Sequence, residues 1–187
     1  MMYLFLRVFT VTMILASTGF GASLAVTFYF IGLQDFALTY GFLGGFVCGI
    51  LGALIVSTTA STTHLKAVKE LPYYKPGMEY LLNYEKSVEV NLPFDDVWRE
   101  SVEILRQLGF SNISEDSHRR IISAKSGFSK YSYGERVTLH FNSENVNRIL
   151  VSVKSQPRMP IATVDGGTNI KNVMNVSSML SKLKEKK

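Results

Sequence analysis

The chain has 187 residues, a formal net charge of +5 and a single cysteine. One cysteine excludes an intrachain disulfide framework, and a charge of this size gives no strong sign of nucleic-acid binding. The length allows a membrane segment together with one domain of roughly 100 residues.

Two apolar stretches dominate the first third of the chain, at residues 8–32 and 36–56. Before residue 57 the only charged side chains are Arg7 and Asp35. Each stretch exceeds the roughly 20 residues that a helix needs to cross the hydrocarbon layer, and each is longer than the apolar core of a signal peptide. We therefore expect an uncleaved transmembrane helical hairpin over residues 1–57.

The charges that flank the hairpin predict its orientation. Arg7 precedes the first stretch, Lys66 and Lys69 follow the second, and the loop between them contains Asp35 but no lysine or arginine. The positive-inside rule then places both termini in the cytoplasm. The expected location is the bacterial inner (plasma) membrane, in two passes and among membrane lipids.

Small side chains recur every four residues in both stretches. Such patterns let the backbones of two membrane helices approach closely. Either the two helices pack on each other through this stripe, or the stripe binds a protein partner or a second copy in a homo-oligomer. The predicted helix-packing residues are Ser17, Gly21 and Ala25 in the first helix and Gly41, Gly45, Gly49 and Ala53 in the second.

Residues 58–84 are predicted to form a juxtamembrane linker. The segment carries four tyrosines, at Tyr73, Tyr74, Tyr80 and Tyr84, among several lysines. Aromatic rings mixed with lysines are typical of a membrane interface, although a plain linker fits the pattern nearly as well.

Residues 85–187 have the pattern of a small α+β domain. Alternating apolar residues predict four strands, at residues 86–92, 120–125, 135–142 and 148–155. Helical periodicity predicts one helix over residues 93–109 and a last one over residues 168–184, N-capped by Thr168. Residues 142–145 are predicted to form a turn. The expected order is β-α-β-β-β-α, an antiparallel sheet covered on its apolar face by two helices.

Part of this domain resembles a known family. Its first helix contains the run FDDVWR at residues 94–99 and ends in LRQLGF at residues 105–110, followed by Glu115, Asp116 and a new strand. This arrangement resembles the helix-grip domain of the BamC (NlpB) lipoprotein family. The resemblance implies a helix-grip fold and a non-enzymatic accessory role, as in the outer-membrane assembly machine that those lipoproteins serve. This chain has a two-helix anchor and no lipobox cysteine, so a role in outer-membrane assembly is not carried over.

The polar residues give no catalytic, cofactor or metal signature. His64, His118 and His140 are not spaced as metal ligands, and we expect all three at the surface. Residues 165–169 (DGGTN) precede a helix, where they could bind an anion or act only as a turn and cap. Trp98 is expected to anchor the core.

Two segments are candidates for contact with a partner. Residues 127–134 concentrate aromatic side chains and a lysine between two strands, and residues 156–163 (QPRMPIAT) follow the last strand. Such side chains bind proteins or membranes in many proteins, and ordinary loop packing is the alternative; we expect no nucleic-acid partner. The candidate contact residues are Phe128, Lys130, Tyr131, Tyr133, Arg158 and Met159.

These features lead to two functional hypotheses. The first is a membrane-anchored, non-catalytic accessory or scaffold protein that presents a small protein-interaction domain at the cytoplasmic face. The alternative is a tethered module that binds a lipid or small apolar ligand in the groove between the sheet and the last helix.

Overall fold

The computed structural model describes residues 2–129, 132–145, 148–159 and 161–183. The chain divides into two compact units, Met1–Lys69 and Glu70–Lys187. The first contains two long helices and the second an α+β domain. The predicted fold class is confirmed.

The first unit is an antiparallel pair of helices, α1 (Met2–Phe30) and α2 (Gln34–Lys69). Both are long and apolar enough to cross a membrane. Helix α2 continues through the hydroxyl-rich segment that follows residue 57, and the threonine hydroxyls there are satisfied by donating to the carbonyl four residues earlier. Thr58 Oγ1 lies 2.8 Å from the Leu54 oxygen and Thr62 Oγ1 lies 2.7 Å from the Thr58 oxygen.

The segment that precedes the first strand belongs to the second unit. It contains a short 3-10 turn, Met78–Tyr80, and its Met78 and Leu82 side chains are buried. The Tyr74 hydroxyl donates to Glu79 Oε2 over 3.1 Å. Partial burial raises the pKa of Tyr74 above its ordinary value, and this hydrogen bond raises it further.

The domain is built on one antiparallel sheet in the order β1-β5-β4-β3-β2. Helices α3 (Phe94–Gln107) and α4 (Thr168–Lys182) pack against one face of this sheet. The strands are β1 (Tyr84–Val90), β2 (Ser111–Asp116), β3 (Ile121–Lys125), β4 (Glu135–Asn145) and β5 (Arg148–Pro157).

The alternation predicted for the strands is confirmed by burial. In β4, Val137, Leu139 and Phe141 are buried, whereas Arg136 and His140 are exposed. The buried side chains of β3 and β5 extend the same core. Helix α4 contributes Val173, Val176 and Leu180 to this core, and Leu183 joins it just after the helix ends. Ile170 is also buried, as the periodicity predicts.

Among the residues that the structure describes, the domain contains one strand more than the sequence pattern predicts. Edge strand β2 has a register irregularity between Ser111 and Ser114, and Asn112 has a left-handed φ of 49°. A bulge of this kind interrupts the alternation by which strands are recognised. The predicted turn at residues 142–145 is wrong, because β4 continues to Asn145 and Asn142 pairs with Leu150. Cross-strand pairing here overrides the local turn preference.

Trp98 packs against the core, as expected, and also joins two elements. Its ring centroid lies 5.0 Å from that of Phe141 and 5.5 Å from that of Phe94. Its indole Nε1 donates to Glu115 Oε2 over 2.6 Å. This hydrogen bond links α3 to β2, the strand that the sequence pattern did not predict.

Candidate partner-contact surface

The segment between β3 and β4 is held in place by a buried carboxylate. Glu135 is only 1% exposed, and its two carboxylate oxygens accept hydrogen bonds from the hydroxyls of Ser126 and Ser132. The Glu135 amide donates back to Ser126 Oγ over 2.8 Å, and the Ser129 amide donates to the Ser132 carbonyl over 2.9 Å. A buried carboxylate needs such donors, so this network fixes both ends of the segment.

Two aromatic side chains project from the described residues of this segment. Phe128 is 79% exposed and Tyr133 is 65% exposed. Their ring centroids lie 6.5 Å apart at an interplanar angle of 90°. Two large rings that lie side by side at the surface expose apolar area to water and contribute little to the core. Lys130 and Tyr131, predicted in the same loop, lie outside the described residues.

The segment after β5 lies beside the aromatic pair. The Arg158 amide donates to the Gly134 carbonyl over 3.1 Å. Gly134 has a φ of +89°, and a Cβ there would lie 2.8 Å from the Ser126 carbonyl oxygen, so only glycine fits without strain. Met159 and Ile161 are exposed farther along the same segment. We define the loop patch as Phe128, Tyr133, Arg158, Met159 and Ile161.

Basic side chains at the adjoining end of the sheet were missed by sequence reasoning. Lys125 and Arg136 pair directly across β3 and β4, on the face opposite the buried Ala124 and Val137. Eleven positions separate them in sequence, so only the strand register brings them together. No local sequence signal could have found this pair.

The predicted helix-packing residues meet along the interface between α1 and α2. A Cβ on Gly45 would lie 2.6 Å from the Gly21 Cα and 2.6 Å from the Ser17 carbonyl oxygen. A Cβ on Gly41 would lie 2.8 Å from the Ala25 Cβ, and the Ser17 side chain takes the space beside Gly49. Ala53 is fully buried in the same row. The stripe is therefore occupied by α1 of the same chain.

The prediction for one histidine is wrong. His64 is 2% exposed, because it continues the buried row of α2, whereas His118 and His140 are exposed as expected. Within the described residues, no group of three or more His, Cys, Asp or Glu side chains could hold a metal ion.

Residues 165–169 form a turn and cap, which is one of the two alternatives that the sequence left open, but the capping side chain is Asp165 and not the predicted Thr168. Thr168 is the first helical residue and not the N-cap. The fully buried Asp165 carboxylate accepts from the Gly167 and Asn169 amides, each over 2.9 Å, and from Asn169 Nδ2 over 2.8 Å. Ser155 Oγ donates to Asn169 Oδ1 over 2.6 Å and completes the cluster. Because this carboxylate already occupies the helix N-terminus, an anion has no place there.

No protein-family model matches the chain, and no curated protein matches it. The chain is similar to a solution NMR structure of a structural-genomics target from Thermobifida fusca, at 14% identity over 56% of this chain and 96% of that chain, with a TM-score of 0.37. A similarity this weak supports no conclusion about function. The BamC resemblance therefore stays a prediction.

Proposed function

We propose that this protein is a membrane-anchored, non-catalytic accessory or scaffold protein whose α+β domain binds a protein partner through the loop patch. The observation that carries the proposal is the pair of exposed rings, Phe128 and Tyr133, which lie close to the hydrogen bonds that Ser126 and Ser132 donate to the buried Glu135. A surface ordered before binding loses less conformational entropy when it binds. Exposed aromatic side chains on such a surface are typical anchors of protein interfaces.

The proposal places the protein partner on the loop patch and not on the glycine stripe, because α1 already packs against that stripe. The alternative is a tethered module that binds a lipid or small apolar ligand between the sheet and α4, and the packing of α4 argues against it. Val173, Val176 and Leu180 of α4 are fully buried in one continuous core with the strands, so side chains fill that space.

The proposed location is the bacterial inner membrane, with both termini in the cytoplasm. Arg7 lies near the start of α1, and Lys66 and Lys69 lie near the end of α2, so the positive-inside rule favours this orientation. Protease added to intact spheroplasts is expected to spare the carboxyl-terminal domain and to digest it only after lysis. Digestion before lysis would contradict the orientation.

Site-specific photocrosslinking in native membranes tests the partner. Benzoylphenylalanine in place of Phe128 is expected to yield one saturable protein adduct. The matched control places the same residue at His118, which is exposed in the turn at the opposite end of β3. Equal adducts from both positions, or adducts of lipid only, would overturn the proposal.

A further inference from the structure

Three basic side chains gather at the end of the sheet that carries the loop patch. Lys125 ends β3, and Arg136 lies directly opposite it near the start of β4. The Arg158 guanidinium lies beside Gly134, since a Cβ on that glycine would approach Arg158 Nη1 to 3.4 Å. Arg136 and Arg158 are exposed, and Lys125 is half-buried.

In the part of the chain that the structure describes, the cations at this end of the sheet have no acidic partner. Among the described residues, no carboxylate lies within ion-pair distance of Lys125, Arg136 or Arg158. The nearby Glu135 carboxylate is buried and accepts from two serine hydroxyls. At the other end of the same sheet, by contrast, Arg148 pairs with Glu89 over 2.8 Å.

Like charges placed directly opposite each other on neighbouring strands destabilise a sheet. The Lys125 and Arg136 pair therefore raises the free energy of the unbound domain, and an anionic group bound between them would relieve the repulsion. Carboxylates suit these positions because a guanidinium donates to both oxygens of a carboxylate at once. The rings of Phe128 and Tyr133 lie on the segment that joins Lys125 to Arg136 in the chain, and both are exposed, so an apolar side chain can pack on them.

We infer that the partner segment is an acidic stretch of protein that also carries an apolar anchor. In this arrangement its carboxylates lie against Lys125, Arg136 and Arg158, and its apolar side chain packs on the Phe128 and Tyr133 rings. The inference rests on the proposed function, since it specifies the chemistry of the same partner. The cations lie on a sheet face and the rings lie on the loop at the end of that sheet. A short protein segment can contact both, so it fits better than a lipid surface or a nucleic acid.

The test uses the full chain in native membranes, with benzoylphenylalanine at position 128 as the probe. We compare the double variant Lys125→Gln/Arg136→Gln with the control Arg99→Gln/Arg119→Gln, which removes the same charge from side chains that are 72% and 80% exposed elsewhere. The adduct yield is expected to fall about fivefold in the first variant and to stay unchanged in the second. Raising the salt concentration to about 0.5 M is expected to lower the wild-type yield similarly. Mass spectrometry should place the crosslink in a segment that contains Asp or Glu.

Each outcome has a distinct meaning. A protein adduct whose yield is equal in both double variants, or whose crosslinked segment has no acidic residue, overturns this inference and leaves the proposed function standing. The absence of any specific protein adduct overturns both. If the chain is reconstituted into vesicles of phosphatidylcholine with about 30% phosphatidylserine, a crosslink from position 128 to phosphatidylserine that is lost in Lys125→Gln/Arg136→Gln, together with no protein adduct in native membranes, assigns the surface to anionic lipid and also overturns the inference.

Discussion

The backbones of the two apolar helices meet at Gly21 and Gly45. A Cβ built on Gly45 would lie 2.6 Å from the Gly21 Cα and 2.7 Å from the Gly21 nitrogen. Backbone atoms cannot move aside as a flexible side chain can, so this contact sets the distance between the helices.

Substitution at this contact should separate the helices. Gly45→Ala is expected to destabilise the hairpin by about 1–3 kcal/mol, because the added methyl group overpacks the interface. The control is Gly52→Ala, since a Cβ there meets no atom within 4 Å, and it should be neutral or slightly stabilising through helix propensity. SDS titration of the detergent-solubilised chain, followed by far-ultraviolet circular dichroism, measures both. Equal midpoints for the two variants would contradict the packing.

The loop patch should contribute little to folding. Phe128→Ala is expected to change the free energy of unfolding by no more than about 0.5 kcal/mol, because the ring is 79% exposed. Phe141→Ala, at a ring that is 2% exposed, is expected to cost about 3–5 kcal/mol. Urea unfolding of the full chain, followed by the fluorescence of its single tryptophan, compares the two. A loss above about 1.5 kcal/mol for Phe128→Ala would mean that the ring supports the fold.

The buried Glu135 carboxylate should control the order of the segment that displays the rings. Glu135→Ala removes the acceptor of the Ser126 and Ser132 hydroxyls, and the opening free energy of the segment should fall by about 1.4 kcal/mol. Amide hydrogen exchange in peptides covering residues 126–134 is then expected to be about tenfold faster. Glu103→Ala, on the exposed face of α3, is the control and should leave this exchange unchanged. Unchanged exchange in Glu135→Ala would show that other contacts order the segment.

The stability of the domain should depend on the buried Asp165 carboxylate at the start of α4. Asp165→Ala leaves the Gly167 and Asn169 amides without their acceptor, and we expect a loss of about 2–3 kcal/mol in unfolding free energy. Asp95→Ala is the control, an exposed aspartate in the first turn of α3, which should cost about 0.5 kcal/mol. Urea unfolding measures both variants. Losses of equal size would show that burial of Asp165 adds nothing.

Alkaline pH should weaken the second unit partly through Tyr74. Burial and the hydrogen bond to Glu79 raise the pKa of this hydroxyl, so the neutral form is favoured in the folded state. Its contribution to stability is fully present below the unfolded pKa of about 10 and is lost as the pH rises from there through the folded pKa. The difference between the 295 nm absorbance titrations of wild type and Tyr74→Phe isolates this group. A midpoint at or below pH 10 would contradict the shift.

The sequence by itself determined the features that depend on local periodicity. Hydrophobic length identified the two helices, and strict alternation identified which faces of β4 and β5 are buried, because side-chain direction repeats every two residues in a strand. It also identified Phe128 and Tyr133 as candidate contacts, because these rings lie between glycines and outside any helical or strand pattern of buried residues.

Only the tertiary structure decided the features that depend on distant pairing. Strand β2 exists because it pairs with β3 despite its bulge, and β4 extends to Asn145 because β5 lies beside it. The Asp165 cluster depends on Ser155 of another element. Lys125 and Arg136 face each other only through the register of the sheet. Local sequence records neither register nor burial between distant segments, because both arise from the free energy of packing the whole domain.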